Sequence, residues 1–234
     1  ILDTEQLSFW DNSDEIGAAE AARKFPGQDE AFSGVISSYT DNGDGTITDH
    51  VTGLMWQQDP GAKMTMYQAE TRMKYFHAGG YSDWRLPTVK ELYSLIQFNG
   101  RDVSTMMAGR DRSGEMTPFI DTDYFEFEYG DEKAGERIID AQFLTSTEYV
   151  STTMNGDMTV FGVNFADGRI KGYPIVSPRG EEKKFFVLYV RGNRNYGRND
   201  FVDNGDGTVT DRATGLMWMQ ADAGGMDWQE ALNW

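Results

Sequence analysis

The stretch DNGDGTITDHVTGLMW, Asp41 to Trp56, returns as DNGDGTVTDRATGLMW, Asp203 to Trp218, with changes only at Ile47/Val209, His50/Arg212 and Val51/Ala213. A chain that repeats so turn-rich a passage is built around a repeated local structure. Asn-Gly and Asp-Gly supply the positive φ of tight turns, and Thr46, Ile47 and Thr48 are strand formers leading away from them. In TDHVTG, Asp49 and Thr52 offer local hydrogen bonds and Gly53 a left-handed position before a buried strand, Leu54–Trp56. The passage therefore predicts a β-meander, written twice.

The same acids can be read as a calcium loop, since Asp41, Asp44 and Asp49, and in the second copy Asp203, Asp206 and Asp211, set oxygen ligands around glycines. Laid on the EF-hand pattern, Asn42, Asp44 and Gly45 take the third, fifth and sixth places. The first falls on Thr40 or Val202, and the closing acid on Val51 or Ala213. Turn chemistry is the leading reading, and a calcium site outside the EF-hand pattern is the second.

Around the repeat, 39% hydrophobic and 13% aromatic residues in 234 supply cores for one or two domains. With 38 acidic against 21 basic residues, a net charge of -17 repels phosphate backbones and anionic lipid, so nucleic acid and membrane insertion are not expected. The absence of cysteine removes disulfides, thiolate metal sites and a thiol nucleophile. The chain starts at Ile1 without a signal-like apolar run, which reads as a processed piece of something longer.

Two amphipathic helices follow the first copy, over roughly 66–78 and 89–98. They are announced by the capping boxes Thr65/Gln68 and Thr88/Glu91, and by apolar stripes at Met66, Ala69, Met73 and Phe76, then at Val89, Leu92, Leu95 and Ile96. A short helix is also expected within SDEIGAAEAARKFPG, and a helix start at Asp227–Glu230. The charged run from Gly109 to Asp140 reads as an ordered surface excursion. TVFGVNFADGRIKGY signals a hairpin, and KFFVLYVRG, apolar on both faces, a central strand.

Catalytic constellations are thin. His50 and His77 are the two histidines, and His50 becomes Arg212 in the second copy. The acids of FIDTDYFEFEYGDE read as a solvated face, and the methionines fall at core positions. No nucleophile, metal cluster or phosphate loop stands out, and the chain is not expected to be an enzyme.

The motifs YTDNGDGTITDHVTGLMWQ, GGYSDWRLPTVKELYSLI, FIDTDYF, FGVNFADGRIKGY and FVLYVRG together resemble the C-terminal domain family of the Legionella collagen-like protein, over about 38–193 and again from 201. That resemblance implies a bacterial, exported protein with tandem domains: an N-terminal extension over 1–37, a complete domain over 38–193, a linker over 194–200 and a second copy over 201–234 that is cut short. WRLPTVKEL is also similar to the RLPTEAEWE motif of formylglycine-generating enzymes. This implies an α+β, C-type-lectin-like fold of two helices and a twisted antiparallel sheet, with Trp84 and Leu86 in the core and Arg85 paired near a helix start. The cysteine chemistry of those enzymes does not transfer.

On that fold the long loops carry recognition, so Tyr149, Asn155, Asp157, Arg169 and Tyr173 are the ligand-binding candidates. The expected function is an adhesion module, secreted or at the cell surface or in the periplasm with its signal peptide removed, which recognises a glycan or protein surface. Some relatives bind sulfated polysaccharides, but a charge of -17 argues for a neutral glycan or a protein. The alternative is a structural subunit of a filament, layer or exported complex, self-assembled and stabilised by calcium.

Overall fold

The computed structural model describes residues 2–104, 116–153, 156–177 and 180–234. In chain order its elements are β1 (Phe9–Trp10), β2 (Glu15–Ile16), α1 (Ala18–Lys24), β3 (Tyr39–Asp41), β4 (Thr46–Asp49), β5 (Leu54–Gln57), β6 (Met64–Thr65), α2 (Met66–Met73) and α3 (Val89–Tyr93). There follow β7 (Gln142–Thr153), β8 (Asp157–Asn164), β9 (Arg169–Pro174), β10 (Lys184–Phe185), β11 (Val190–Gly192), β12 (Phe201–Asp203), β13 (Thr208–Asp211), β14 (Leu216–Met219) and α4 (Trp228–Asn233). Short helices beside small antiparallel sheets make the α+β class expected from the sequence. The chain divides into two compact units, residues 37–194 and residues 1–36 with 195–234.

In the 37–194 unit, β3 and β4 pair around the Asn-Gly/Asp-Gly turn, β4 pairs β5, and β11 adds to the far side of β5 in the order β11-β5-β4-β3. Burial explains the choice of partner. Ile47 and Trp56 are fully buried and face each other across β4 and β5, and Val190 closes the other flank of Trp56. Both capping boxes are present, with Thr65 and Thr88 accepting from the backbone of Gln68 and Glu91.

The helices are shorter than their apolar stripes suggest. α2 ends at Met73 because Phe76 leaves the helical path to pack on Trp84 and Tyr189, with ring centroids 5.4 and 4.9 Å apart. Beyond Tyr93 the backbone tightens to i to i−3 bonds that still bury Leu95 and Ile96. The aromatic cluster around Tyr189 joins Met64, Ala69, Trp84, Leu86, Leu144, Val160, Phe185 and Val187 in one core.

One expectation is refined and another corrected. The run between Gly109 and Asp140, where described, keeps most of its residues at the surface but is pinned inward: Phe119, Ile120 and Phe125 are buried, and Phe119 bonds its backbone to Phe165. Charge density hid the apolar anchors that tie it inward. Phe185–Val190 is not a single central strand. It is fully buried, but its pairing is shared out: β10 meets β6, Phe186 exchanges backbone bonds with Gln142 and Leu144, and β11 meets β5 and Arg85.

In the other unit, α1 forms in the segment expected to be helical, and α4 begins on a capping box of Asp227 and Glu230. The Trp228 ring stacks on Phe25 at 5.5 Å, and Gln229 donates to the carbonyl of Lys24. The N-terminal residues thus fold with the C-terminal ones. The second copy of the repeat forms the meander β12-β13-β14, with the same residue pairs in register as β3-β4-β5.

Candidate binding surface

The aspartates of the repeat act first as turn clamps. Asp41 accepts from the backbone of Gly43, Asp44 from the backbone and hydroxyl of Thr46, and Asp49 from the backbones of Val51 and Thr52 and the Thr52 hydroxyl. Asp203, Asp206 and Asp211 repeat the pattern on Gly205, Thr208, Ala213 and Thr214. Each carboxylate closes its own turn, a local bond that competes with any ligand for the same lone pairs. The hydrogen bonds from Gly43 and then Gln58 hold Asp41 below the usual carboxylate range, and those from Thr208 do the same for Asp206. Among the described residues, no group of three or more His, Cys, Asp or Glu converges on a metal-sized site. His50 bonds to Thr40 across the meander, and both histidines are exposed.

Arg85 grips the Glu91 carboxylate through both guanidinium nitrogens at 2.7 and 2.6 Å, and the same carboxylate accepts from the backbone of Thr88. Glu91 is buried, so the pair fixes the start of α3 from within the core, the structural role expected of Arg85. Strand β7 is tied to that fixed point: Ser146 bonds to the Pro87 carbonyl, and Val89 donates to the Thr147 hydroxyl.

The sheet β7-β8-β9 carries four of the five residues marked for ligand binding, and it does not bring them together. Asn155 lies outside the described residues. In the antiparallel register, Val160 opposes Tyr173 and Asn164 opposes Arg169, so Tyr173 and Arg169 share a face. Asp157 belongs to the other face, with Phe161, and Tyr149 meets the Phe161 ring edge-on at 6.1 Å. Tyr173 turns inward: its ring meets Phe185 edge-on at 5.8 Å with Lys183 above it, and a Cβ at Gly162 would crowd it.

Around Tyr173 lies a polar network that the sequence did not announce. Lys171 pairs with the buried Asp167, which Arg169 also approaches at 3.7 Å, and Arg169 bonds to Asp102 at 2.6 Å. Opposite, Arg137 pairs with Asp140, Lys63 pairs with Glu136, and Asn164 donates to the Ile139 carbonyl. Burial pushes Asp140 up, but the bonds and charge of Arg137 outweigh it and hold the carboxyl below its ordinary range. Burial also lowers Lys183. Oδ1 of Asp167 and the hydroxyls of Tyr129 and Tyr173 are buried without a hydrogen-bond partner among the described residues, Asn164 lying beside Tyr173 at a geometry short of a bond.

Those phenols make an alkaline prediction. Burial pushes Tyr129 up to about 12, and it raises Tyr173, with the Asp167 charge adding, and Tyr189 as well. A phenol whose folded pKa exceeds its unfolded value of 10.0 contributes stability that is complete below pH 10 and lost as pH rises toward the folded value. In an absorbance titration at 295 nm beside circular dichroism, these phenols should stay protonated past pH 10 and ionise as the fold opens between about pH 10 and 12. Ionisation of all eleven tyrosines near pH 10 with the fold intact would contradict this assignment.

The outer part of the same sheet differs in character. Tyr149, Val150, Met158 and Ile170 are exposed, Val150 almost wholly, at 98%. Ile170, opposite Val163, shares the face of Phe161 and Tyr149, whereas Met158, next to Asp157, lies on the other face; Tyr149 and Ile170 therefore leave apolar surface on one side of a rigid, hydrogen-bonded frame, which is the property of a contact surface. The signal was faint in the sequence: bulges between Leu144, Glu148 and Thr152 break the alternation that would have assigned faces.

Taken by its fold, the 37–194 unit is an α+β domain in which an N-terminal meander is closed by the domain's last strand. The Lcl C-terminal domain family model matches residues 45–191, and the chain belongs to that family. The second meander lies outside the matched residues. No curated protein matches the chain, and no solved structure does. No helix among the described residues is long and apolar enough to cross a membrane.

Proposed function

We propose that this chain is a non-catalytic, exported binding module that attaches to a protein or neutral glycan surface through the outer part of β7-β8-β9. The observation that carries the reading is the exposure of the apolar side chains Tyr149 and Ile170 on the Phe161 face of a sheet anchored to the core through Pro87 and Thr147. Family membership supports it, since the family takes its name from a collagen-like surface protein. A C-type-lectin-like arrangement belongs to the same proposal. The strongly acidic chain favours partners without dense anionic charge. Calcium is a separate proposal: carboxylates already closing turns would take it weakly.

A glycan array and a surface-protein panel, each run with calcium and with chelator at physiological salt, test the reading. A saturable hit that falls at least tenfold in Tyr149→Ser/Ile170→Ser, with the melting temperature of the variant unchanged, is the expected result. Hits that ignore the double substitution would move recognition elsewhere. In the same samples, a midpoint raised by calcium would revive the metal at Asp41, Asp44 and Asp49; an unchanged midpoint is expected.

A further inference from the structure

Three Asn-Gly steps lie among the described residues, at Asn42–Gly43, Asn99–Gly100 and Asn204–Gly205; of a fourth, Asn155–Gly156, the asparagine is outside them. Asparagine followed by glycine carries a reaction of its own, because a neighbour without a Cβ leaves its backbone nitrogen open to approach the asparagine side-chain carbonyl. All three asparagines are exposed, so exposure does not separate them. Their hydrogen bonds do.

In the first meander both reacting groups are held. The Asn42 amide donates to the hydroxyls of Thr46 and Thr48 at 3.0 Å each and its oxygen accepts from Thr48 at 3.3 Å, while the Gly43 N–H donates to the Asp41 carboxylate at 2.8 Å. The second meander repeats the clamp: Asn204 donates to Thr208 and Thr210 at 2.9 and 3.0 Å, and Gly205 to Asp203 at 2.8 Å. To react, either asparagine would have to give up its whole turn. Asn99 has no such hold: its carboxamide makes no hydrogen bond among the described residues, and the Gly100 N–H has one long bond, 3.3 Å, to the Gln97 carbonyl.

We propose that Asn99–Gly100 is a self-modification site, at which the folded chain converts the asparagine to aspartate and isoaspartate while Asn42 and Asn204 stay intact. The Gly100 nitrogen gives its proton to solvent base and attacks the Asn99 side-chain carbonyl carbon; a new C–N bond forms, the amide C–N bond breaks, and the amide nitrogen takes up a proton and leaves as ammonia. Water then opens the cyclic imide at either carbonyl, so one water enters, one ammonia leaves and nothing is oxidised or reduced. Isoaspartate, one of the two products, lengthens the main chain by a methylene where there is no slack. Backbone bonds from Gln97 to Phe119 at 3.1 Å and from Arg101 to Thr117 at 2.8 Å clamp the stretch on both sides, and a Cβ on Gly100 would stand 2.5 Å from the Phe119 ring. Phe119 is buried and bonds its own backbone to Phe165 at 2.8 Å, so the added methylene works against an inward anchor of the domain. The age of the molecule is thereby written into its stability. The site is independent of the β7-β8-β9 surface and of the reading given to it.

The test is to hold the full chain in mildly alkaline buffer at physiological temperature, sample it over days, and separate and weigh its proteolytic peptides. The peptide with Asn99 should exchange amide for acid, split between aspartate and isoaspartate, at least tenfold faster than those with Asn42 and Asn204, and the three should react at similar rates when the chain is kept unfolded in urea. The melting temperature of the aged chain should fall, and that of Asn99→Gln, aged alike, should not. Fresh Asn99→Asp, which has the charge without the methylene, should melt like the unaged protein. Asn99 left intact in the folded chain, or Asn42 or Asn204 reacting as fast as Asn99, would overturn the proposal. A midpoint that holds despite full conversion would overturn the coupling to Phe119.

Discussion

Trp56→Ala should lower the stability of the 37–194 unit by about 4 kcal/mol, whereas Trp218→Ala, the same change in the same sixteen-residue context, should cost less than about 1 kcal/mol. The residues are identical; the surroundings are not. Trp56 is fully buried between Ile47 on β4 and Val190 on β11, so its removal loses the transfer term and leaves a cavity the size of an indole. Trp218 is 55% exposed, and its loss leaves nothing behind. For a unit of this size the first change moves the calorimetric midpoint down by roughly 8–16 °C. Trp56→Phe should cost much less than the alanine, because the buried indole N–H has no partner among the described residues and its removal returns a desolvation cost. Equal effects of Trp56→Ala and Trp218→Ala would mean that the second meander is covered in solution.

The second large effect is at Arg85. Replacing it with methionine keeps the volume of its stem but leaves the Glu91 carboxylate, 2% exposed, without its bidentate partner, a loss of about 3–5 kcal/mol. The double variant Arg85→Met/Glu91→Gln should recover part of that loss, because no charge is then stranded and the glutamine oxygen can still accept from Thr88. Calorimetry of the two single variants and the double one measures the coupling directly. If the effects simply add, Arg85 and Glu91 do not act as a unit, and the start of α3 is fixed by something else.

Legibility followed the range of the interactions. The turns at Asp41–Thr46 and the capping boxes at Thr65 and Thr88 could be read from the sequence, because each closes within a few residues and uses side chains with one strong local option. The lengths of α2 and α3 could not, because Phe76 and the residues after Tyr93 answer to partners far along the chain. For the same reason the pairing of Phe25 with Trp228, and the burial of Phe119 and Phe125 within an acidic run, left no periodic mark. Of the binding candidates, Tyr149 is found at the exposed surface as a recognition residue requires. Tyr173 looked equally suitable as a residue type but is turned into the core by its place opposite Val160, a fact of register rather than composition.

The closing strand sets a timetable. Tyr189 and Gln57 bond across 132 residues and Arg191 reaches Met55 across 136, so as the chain leaves the ribosome the first meander exists long before the segment that shields it. Contacts of that span are slow to form, since the loop must be ordered before they repay it. Throughout that interval Leu54 and Trp56 present to the nascent protein's surroundings the same sticky, half-finished ribbon that Leu216 and Trp218 show in the folded chain. Secretion or chaperone binding that holds this ribbon open until residue 192 has emerged would therefore act on the step that governs whether the domain closes on itself or on a neighbour.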